Sequence, residues 1–281
     1  MTVLSELQDA SKPARIEGSS SSSTVPGGTS SSSRFKTLAI DSAGDLARLA
    51  FSFDMKKHTS LDIKKEVIRA VNNYPGAVER MNMIVRRLKN FRAAGMEIVI
   101  TAHEDVERFF AKSTGGMGLK EEPFVTKGWA DLPGKRAPDE FGRACDNMLH
   151  VRRASGKLQW VAIPELIGPG AGEWCVKDRF NAPAIQNGYL PPSYTDIAEL
   201  AKRNPLCNWK PPYIWLIYGA MGLKKTRSLL TFPQPIRIFD TDRGTGVLTD
   251  KEKEVCDIIE YDPEESDDYN RFLADLEACM P

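Results

Sequence analysis

Hydrophobic and polar residues alternate along the chain with two different periods, which predict strands that alternate with helices. The apolar runs over Phe35–Ile40 and in MEIVITAHE, which ends at Thr101–His103, are typical of buried strands. Apolar residues recur at helical spacing after the first strand and again over about Ala77–Ala94, where Gly95 ends the pattern. The residues that carry these two helical patterns are Leu46, Leu49 and Ala50, then Met81, Ile84, Val85 and Leu88.

The second half of the chain continues the same alternation. Met148–Arg153 and Leu158–Ile163 predict an antiparallel pair joined by a turn. The stretch YIWLIYGAMGLKKTRSLLTF then predicts a strand, a glycine-rich loop and a helix. IRIFD predicts another strand, and a last helix is expected at about Asp267–Cys279. Strands that alternate with helices imply an α/β fold, with a mainly parallel central sheet covered by helices on both faces.

Composition divides the chain into an arm, a domain and a connector. Residues 1–34 include the run GSSSSSTVPGGTSSSS at Gly18–Ser33, which has little apolar surface to bury and predicts a flexible arm. Residues 35–281 are expected to form one domain. Within it, a segment rich in proline and asparagine at 181–212 reads as a connector with one helix near Thr195–Arg203.

The overall composition argues against several classes of protein. Of 281 residues, 41% are hydrophobic and 27% charged, and the formal net charge is zero, so no global field favours nucleic acid or a membrane surface. Five cysteines without a CxxC pair and three dispersed histidines favour reduced thiols and disfavour a zinc site. No stretch approaches the roughly 20 apolar residues of a membrane span, and no signal-peptide core is present. We therefore expect a cytoplasmic protein.

The glycine-rich loop fits the phosphate-binding pattern G-x-x-x-x-G-K-[ST] with one departure. Loops of this kind bind phosphate oxygens through backbone N–H groups and the start of the following helix. Lys224 stands where the second glycine is usual, while an extra Gly222 keeps the loop pliable. A plain glycine turn before a basic helix is the alternative. The predicted nucleotide-binding residues are Gly219, Ala220, Met221, Gly222, Leu223, Lys224, Lys225, Thr226 and Arg227.

Carboxylates follow two of the predicted strands. Asp41 ends the strand that begins at Phe35, and Asp240 and Asp242 end the strand IRIFD. Because parallel strands end at one edge of a sheet, these acids are expected to converge on the loop, where one could help to hold Mg²⁺. The alternative for each acid is a helix cap or a turn residue.

Five short blocks together resemble the RecA-like phage ATPases, the AAA-domain nucleotide-binding proteins of single-strand annealing and recombination. The blocks are IWLIYGAMGLKKT, PQPIRIFDTDRG, FKTLAIDSAGDL, EIVITAHED and VKDRF. Their order is that of the family, but cyclically shifted. The resemblance therefore implies a RecA-like P-loop core that is circularly permuted, so that the Walker B strand precedes the Walker A strand. Residues 181–212 would then join the usual C-terminus to the usual N-terminus.

The resemblance implies ATP and Mg²⁺ as ligands and assigns a role to each site residue. Lys225 would neutralise the β- and γ-phosphates, and Thr226 would ligate Mg²⁺. Asp41 would hold a water of the metal. Asp242 stands where the family carries a catalytic glutamate, one methylene longer, so turnover is expected to be slow. His103 occupies the position of a polar sensor of the γ-phosphate, or is a satisfied histidine at the end of a strand.

Two further sets of basic residues concern partners. Lys177 and Arg179 resemble the paired basic finger that ring and filament ATPases insert into a neighbouring subunit's site, which implies a homo-oligomer; an ordinary surface salt bridge is the alternative. The segment Lys112–Arg136 is expected to be flexible and interleaves basic residues with an aromatic, a pattern that suits single-stranded DNA binding, although a basic surface loop explains it equally well. Its candidate contacts are Lys120, Lys127, Trp129, Lys135 and Arg136.

The expected function is thus Mg²⁺-dependent ATP hydrolysis coupled to recombination, annealing or replication on single-stranded DNA, with no membrane partner. One alternative is a nucleotide-gated binding module that does not hydrolyse ATP, since Lys224 and Asp242 both depart from the catalytic pattern. A P-loop kinase is the other alternative, but it leaves the ITAHE and VKDR blocks unexplained.

Overall fold

A mostly parallel sheet organises the computed structural model, which describes residues 35–57, 75–110, 123–132, 137–167 and 172–280. Within these residues the sheet has ten strands. In chain order they are β1 (Thr37–Asp41), β2 (Glu97–Phe110), β3 (Pro123–Ala130), β4 (Asn147–Ala154), β5 (Lys157–Val161), β6 (Glu173–Trp174), β7 (Tyr189–Leu190), β8 (Ile214–Gly219), β9 (Ile236–Asp240) and β10 (Cys256–Glu260).

The spatial order of the strands differs widely from their order in the chain. The path across the sheet is β10, β9, β1, β2, β8, β4, β5, β7. The first six strands of this path are mutually parallel, and β5 and β7 add antiparallel pairs at one end. The α/β class with a mainly parallel sheet is therefore confirmed, and β1 and β8 run in the same direction with β2 between them.

Helices cover both faces of the sheet. In β1, Leu38 and Ile40 face one apolar cluster while Ala39 faces the other, so the strand is buried on both sides. This is the burial that a continuous apolar run predicts. The helices are α1 (Ala43–Lys57), α2 (Pro75–Ala93), α3 (Ala137–Ala144), α4 (Tyr194–Arg203), α5 (Lys225–Leu229), α6 (Asp250–Lys253) and α7 (Ser266–Glu277).

Most predicted elements are present, with boundaries shifted by a few residues. The predicted helix at Ala77–Ala94 is α2, the one near Thr195–Arg203 is α4, and the last is α7. The antiparallel pair is confirmed as β4 and β5. The short strand β10 was not predicted, since CDIIE is too brief to show a period. It forms because it pairs in parallel with β9.

Two expectations for the middle of the chain are wrong. The second predicted strand does not end at Thr101–His103 but continues to Phe110, and the predicted flexible segment Lys112–Arg136 contains the strand β3. The distal part of β2 pairs antiparallel with β3, from Glu104 opposite Ala130 onwards. This pairing satisfies backbone groups that would otherwise need water, and it depends on a partner distant in sequence. Lys112, Lys120, Lys135, Arg136 and the arm 1–34 lie outside the described residues.

The connector at 181–212 is built against the amino-terminal edge of the sheet. Buried Glu97 at the start of β2 accepts hydrogen bonds from the Tyr194 hydroxyl at 2.7 Å, the Tyr213 N–H at 2.9 Å and the Trp215 indole at 3.0 Å. The connector is thus attached to the sheet through the hydrogen bond of Tyr194, on α4, to Glu97. The five cysteines form no disulfide. Among the described residues, no helix combines the length and apolar character needed to cross a membrane.

Candidate functional site

The predicted site residues meet at the carboxyl edge of the parallel strands. In the sheet register, Asp41 lies opposite Asp240, and His103 lies opposite Gly219. Neighbouring strands are about 4.8 Å apart, so the ends of β9, β1, β2 and β8 bring these residues into one small region. The convergence expected from parallel strand ends is therefore found.

The loop after β8 folds over its own lysine. Lys225 is buried, and its Nζ donates hydrogen bonds to the carbonyl oxygens of Gly219 at 2.8 Å and Ala220 at 3.0 Å. Gly222 and Lys224 both take the left-handed backbone conformation, with φ of 77° and 57°. This conformation is the one that glycine supplies most readily. Lys224, at the position of the second glycine of the pattern, therefore has the backbone conformation for which glycine is usual there.

Three oxygen atoms converge beside this loop. A Cβ atom placed on Gly244 would lie 2.6 Å from Asp242 Oδ1, 2.7 Å from Asp41 Oδ2 and 3.0 Å from Thr226 Oγ1. Only glycine leaves this space open. Carboxylate oxygens of Asp41, Asp240 and Asp242 also lie within 4.8 Å of one another. Hydroxyl and carboxylate oxygens are the ligands that Mg²⁺ prefers, so this donor set fits the predicted metal.

Asp41 is held for such a role. One of its oxygens, Oδ1, accepts a hydrogen bond from the Thr101 hydroxyl on β2. The other, Oδ2, is buried and has no hydrogen-bond partner among the described residues, although the Thr226 hydroxyl faces the same carboxylate. Burial, and then the nearby Asp242 carboxylate, raise the pKa of Asp41 to about 6. An orphaned buried oxygen and two repelling acids both favour a cation at this point.

Asp240 shapes the turn that presents Asp242. Its carboxylate is fully buried and accepts hydrogen bonds from the N–H groups of Gly244 and Thr245, both at 3.0 Å, and from the Thr245 hydroxyl. These contacts fold the 3₁₀ turn Gly244–Val247 back over the end of β9. Asp240 therefore acts as a turn residue, which was the alternative role that the sequence allowed for it. Asp242 instead projects towards the loop.

Asp242 lies between the oxygen cluster and His103. Its Oδ1 accepts the Gly244 N–H at 2.8 Å, and its Oδ2 is 3.8 Å from His103 Nε2. Burial opposes ionisation of Asp242, but the nearby His103 ring and the hydrogen bond from the Gly244 N–H outweigh it and lower the pKa of this carboxyl. Asp242 is therefore ionised at neutral pH.

A cleft of about 870 Å³ opens above these residues. This volume is in the range of small-molecule sites in proteins. The loop from Met221 to Arg227 forms part of its wall, and Asp262 and Glu264 also line the cleft. Arg227 is fixed in this wall by an ion pair with Glu252, at 3.0 Å, and by a hydrogen bond to the Val247 carbonyl.

Lys177 and Arg179 are not part of this cluster. Lys177 pairs with Met148 at the start of β4, whereas Val151, further along β4, lies opposite Gly219. The ammonium of Lys177 donates to the carbonyls of Gly142 and Cys145 at the end of α3, which is a capping contact. Arg179 is half exposed and 3.3 Å from the buried Asp146. Both residues lie near the start of β4, away from the loop, and the contact of Arg179 with Asp146 is a salt bridge of the kind that the sequence left as the alternative.

Of the residues predicted to contact DNA, the structure describes Lys127 and Trp129. Both lie on β3, and Lys127 Nζ stands 4.8 Å from the centre of the Trp129 ring. The ammonium group of Lys127 thus makes a cation–π contact with one face of the Trp129 ring.

Three residues near the site were not predicted. Gly244 donates its N–H to Asp240 and Asp242, and Thr101 donates its hydroxyl to Asp41. The local sequence pattern does not indicate that these residues are neighbours. Glu104 follows His103 directly, and its carboxylate bonds His150 on β4. The only signal in the sequence was its place at the end of the ITAHE block.

Comparisons with protein-family models, with curated proteins and with solved structures find no match to this chain. Any function assigned to the chain must therefore be argued from its own residues and their geometry.

Proposed function

We propose that this protein binds ATP with Mg²⁺ and hydrolyses it, on a circularly permuted RecA-like core. The observation that carries the proposal is the meeting of Asp41 Oδ2, Asp242 Oδ1 and Thr226 Oγ1 around Gly244, beside a loop that encloses Lys225. A glycine turn with unrelated cap residues has no reason to bring these groups together.

The sheet topology supports the permuted arrangement. A permuted core requires the Asp41 strand to run parallel to the loop strand and the Asp242 strand to flank the Asp41 strand; β1, β8 and β9 are placed in this way. It also requires the last helix to end close to the first strand. Arg237 joins these two points, because Nη1 is 3.3 Å from Cys279 Sγ and the guanidinium lies 4.3 Å from the centre of the Phe35 ring.

Each site residue then has a defined task. Lys225 exchanges the loop carbonyls for the β- and γ-phosphate oxygens, which are stronger partners for an ammonium group. Thr226 and Asp41 would hold Mg²⁺, and Asp242 Oδ1 lies beside the same glycine, Gly244. When bound, Mg²⁺ would neutralise charge on the phosphate oxygens. His103, opposite Gly219, would detect the terminal phosphate, and the distal part of β2 continues directly from it.

The same proposal includes partners. Arg179 serves a neighbouring subunit in a ring or filament, because it lies on the sheet edge remote from its own loop and remains half exposed. Single-stranded DNA is the proposed polymer, with recombination or annealing in a phage-like system as the setting. The features that favour DNA are the β2–β3 pair, which continues directly from His103, and the basic and aromatic residues on β3.

A second candidate function is a nucleotide-gated binding module without hydrolysis. It is favoured by Asp242, whose short side chain is engaged by Gly244 and by the oxygen cluster, and so is poorly placed to orient a water. Steady-state ATP turnover of the full chain, with and without a single-stranded oligonucleotide, separates the two. The ATPase proposal expects Mg²⁺-dependent turnover that rises with DNA. Tight ATP binding without phosphate release would favour the binding module.

A further inference from the structure

A histidine and two carboxylates meet in the cleft beside the oxygen cluster at Gly244. One donor atom each from Asp45, His103 and Asp242 lies within 4.8 Å of the other two. The three residues come from different elements: Asp45 from the first turn of α1, His103 from β2, and Asp242 from the turn after β9. All three line the cleft. Asp45 has no part in the proposed binding of Mg²⁺ and ATP.

The gap between His103 and Asp242 has the width of a bound metal ion. His103 Nε2 is 3.8 Å from Asp242 Oδ2, which is too far for a hydrogen bond. A metal ion lies about 2.1 Å from each nitrogen or oxygen ligand, so two such bonds at an angle span nearly this distance. Asp242 Oδ1 is already engaged by the Gly244 N–H. The other oxygen therefore remains for an ion that the histidine nitrogen also binds.

Asp45 is held in one position, as a metal ligand requires. Its Oδ2 accepts the Ser42 hydroxyl at 2.9 Å, and its Oδ1 pairs with Arg48 at 2.9 Å. The Arg48 side chain is 74% exposed, so this ion pair contributes little and can yield to an ion. Because each carboxylate oxygen has two lone pairs, Asp45 can keep the Ser42 contact while it binds a metal. Outer hydrogen bonds of this kind orient metal ligands.

The charges around the three residues favour a second cation. Within the part of the chain that the structure describes, no Lys or Arg forms an ion pair with Asp41, Asp131 or Asp242. Asp41 is 2% exposed, and its Oδ2, which has no hydrogen-bond partner there, lies 2.7 Å from the point at Gly244 that is 2.6 Å from Asp242 Oδ1. Asp131 follows β3, and its N–H donates to the His103 carbonyl at 2.7 Å. Buried carboxylates without partners are usually balanced by cations, and one Mg²⁺ shared with phosphates does not balance all of these.

We propose that Asp45, His103 and Asp242 form a second metal site, for a divalent first-row transition metal such as Mn²⁺. One imidazole and two carboxylates favour such a metal over Mg²⁺, whose usual ligands are all oxygen atoms. Three protein ligands leave coordination positions open towards the cleft, as in catalytic metal sites. An oxygen of water or of a phosphate group is the ligand that these positions would take and polarise. The site does not depend on ATP hydrolysis by the protein.

Mn²⁺ binding to the full chain near neutral pH, without a tag or nucleotide, tests this site. Pulsed electron paramagnetic resonance should detect the nitrogen of a bound imidazole, which the oxygen cluster at Gly244 cannot supply. His103→Gln should abolish the nitrogen signal and weaken Mn²⁺ binding at least about 10-fold in calorimetry, since even an outer partner of a ligand contributes that much. Asp45→Asn, which keeps an oxygen for the Ser42 hydroxyl, should weaken Mn²⁺ binding to a similar extent and retain the nitrogen signal.

Asp131→Asn is the matched control, because it removes an acid of the same cleft that is not a proposed ligand. It should keep the nitrogen signal and bind Mn²⁺ within about 5-fold of wild type, the scale of an indirect charge effect. Thr226→Val should also keep the nitrogen signal, because Thr226 belongs to the other site.

Wild-type protein without a nitrogen signal, or a signal that survives in His103→Gln, would overturn the inference. Unchanged Mn²⁺ affinity in Asp45→Asn would also overturn it. Wild-type protein that neither binds nor hydrolyses ATP but shows the nitrogen signal would contradict the proposed function and leave the metal site standing.

Discussion

The Asp41 carboxylate and the Thr226 hydroxyl meet at one point, 2.7 Å and 3.0 Å from the position that a Cβ atom on Gly244 would take. The two residues are far apart in the sequence. They come together because β1 and β8 are parallel strands that end at the same sheet edge, with β2 between them. This juxtaposition brings an acid and a hydroxyl to one point, where we propose that they hold Mg²⁺.

Gly244→Ala tests whether the space between these oxygens is used. The added methyl group would approach all three oxygens within 3.0 Å, so we expect Mg²⁺-dependent ATP binding to weaken at least about 10-fold, measured by calorimetry. Gly246→Ala is the matched control in the same turn, since a Cβ there meets nothing within 4 Å. Equal binding by the two variants would argue against a ligand at the oxygen cluster.

Lys225→Ala is expected to abolish detectable ATP binding, because the buried ammonium is the charge that the loop encloses. Lys224→Ala provides the control, since its contribution is a left-handed backbone residue in the loop. It should bind ATP within several-fold of wild type. If Lys224→Ala loses binding and Lys225→Ala keeps it, the register of the phosphate loop is displaced by one residue.

Asp41→Asn should stabilise the protein without metal while it destroys function. The folded pKa of Asp41, about 6, lies above the ordinary value of 3.8. Its contribution to stability is therefore fully present below about pH 4 and is lost as the pH rises through about 6. At pH 7 the substitution should raise the free energy of unfolding by about 2–3 kcal/mol, less the cost of a weaker bond to Thr101.

Chemical denaturation in EDTA from pH 4 to pH 7 measures this effect. Wild-type stability should fall across that range, and the fall should be smaller in Asp41→Asn. Addition of Mg²⁺ should stabilise the wild type more than the variant. A variant less stable than wild type at pH 7 would show that Asp41 is paired in the metal-free protein.

Arg179→Ala should lower ATP turnover and leave ATP affinity nearly intact, because the residue lies at the edge of the sheet remote from its own loop. A mixing experiment separates action in another subunit from a local defect. Lys225→Ala protein has an intact finger and a defective site, so adding it to Arg179→Ala protein should restore part of the turnover. Arg203→Ala, which removes an exposed ion pair with Glu199, serves as control. No recovery on mixing would count against a finger that acts in trans.

The sequence predicts those parts of the site that depend on a contiguous sequence pattern, and it misses those that depend on contacts between distant segments. Lys225, Thr226 and Asp41 were predictable because the loop pattern and the apolar strands are contiguous, and parallel strands must end together. The requirement for glycine at position 244 was not, since it arises from atoms of Asp41 and Thr226 that only the fold brings near.

The same reasoning explains the elements that were missed. The distal part of β2 and the whole of β3 form by pairing with each other. A shift in the register of this pairing between Glu107 and Arg108 interrupts the alternation of apolar and polar residues that would have indicated strands. The contact of Glu104 with His150 crosses a strand that lies far along the chain from both. The pattern of apolar and polar residues along a short segment does not predict contacts between residues so far apart in the chain.

The central claim is that Asp41 and Thr226 together hold a metal–nucleotide complex, and calorimetric titration of ATP tests it most directly. Wild-type protein should bind ATP at least about 10-fold more tightly with Mg²⁺ than with EDTA, and Thr226→Val should lose most of this difference while it stays folded. Equal affinity with and without Mg²⁺, or the same Mg²⁺ dependence in Thr226→Val as in wild type, would contradict the account.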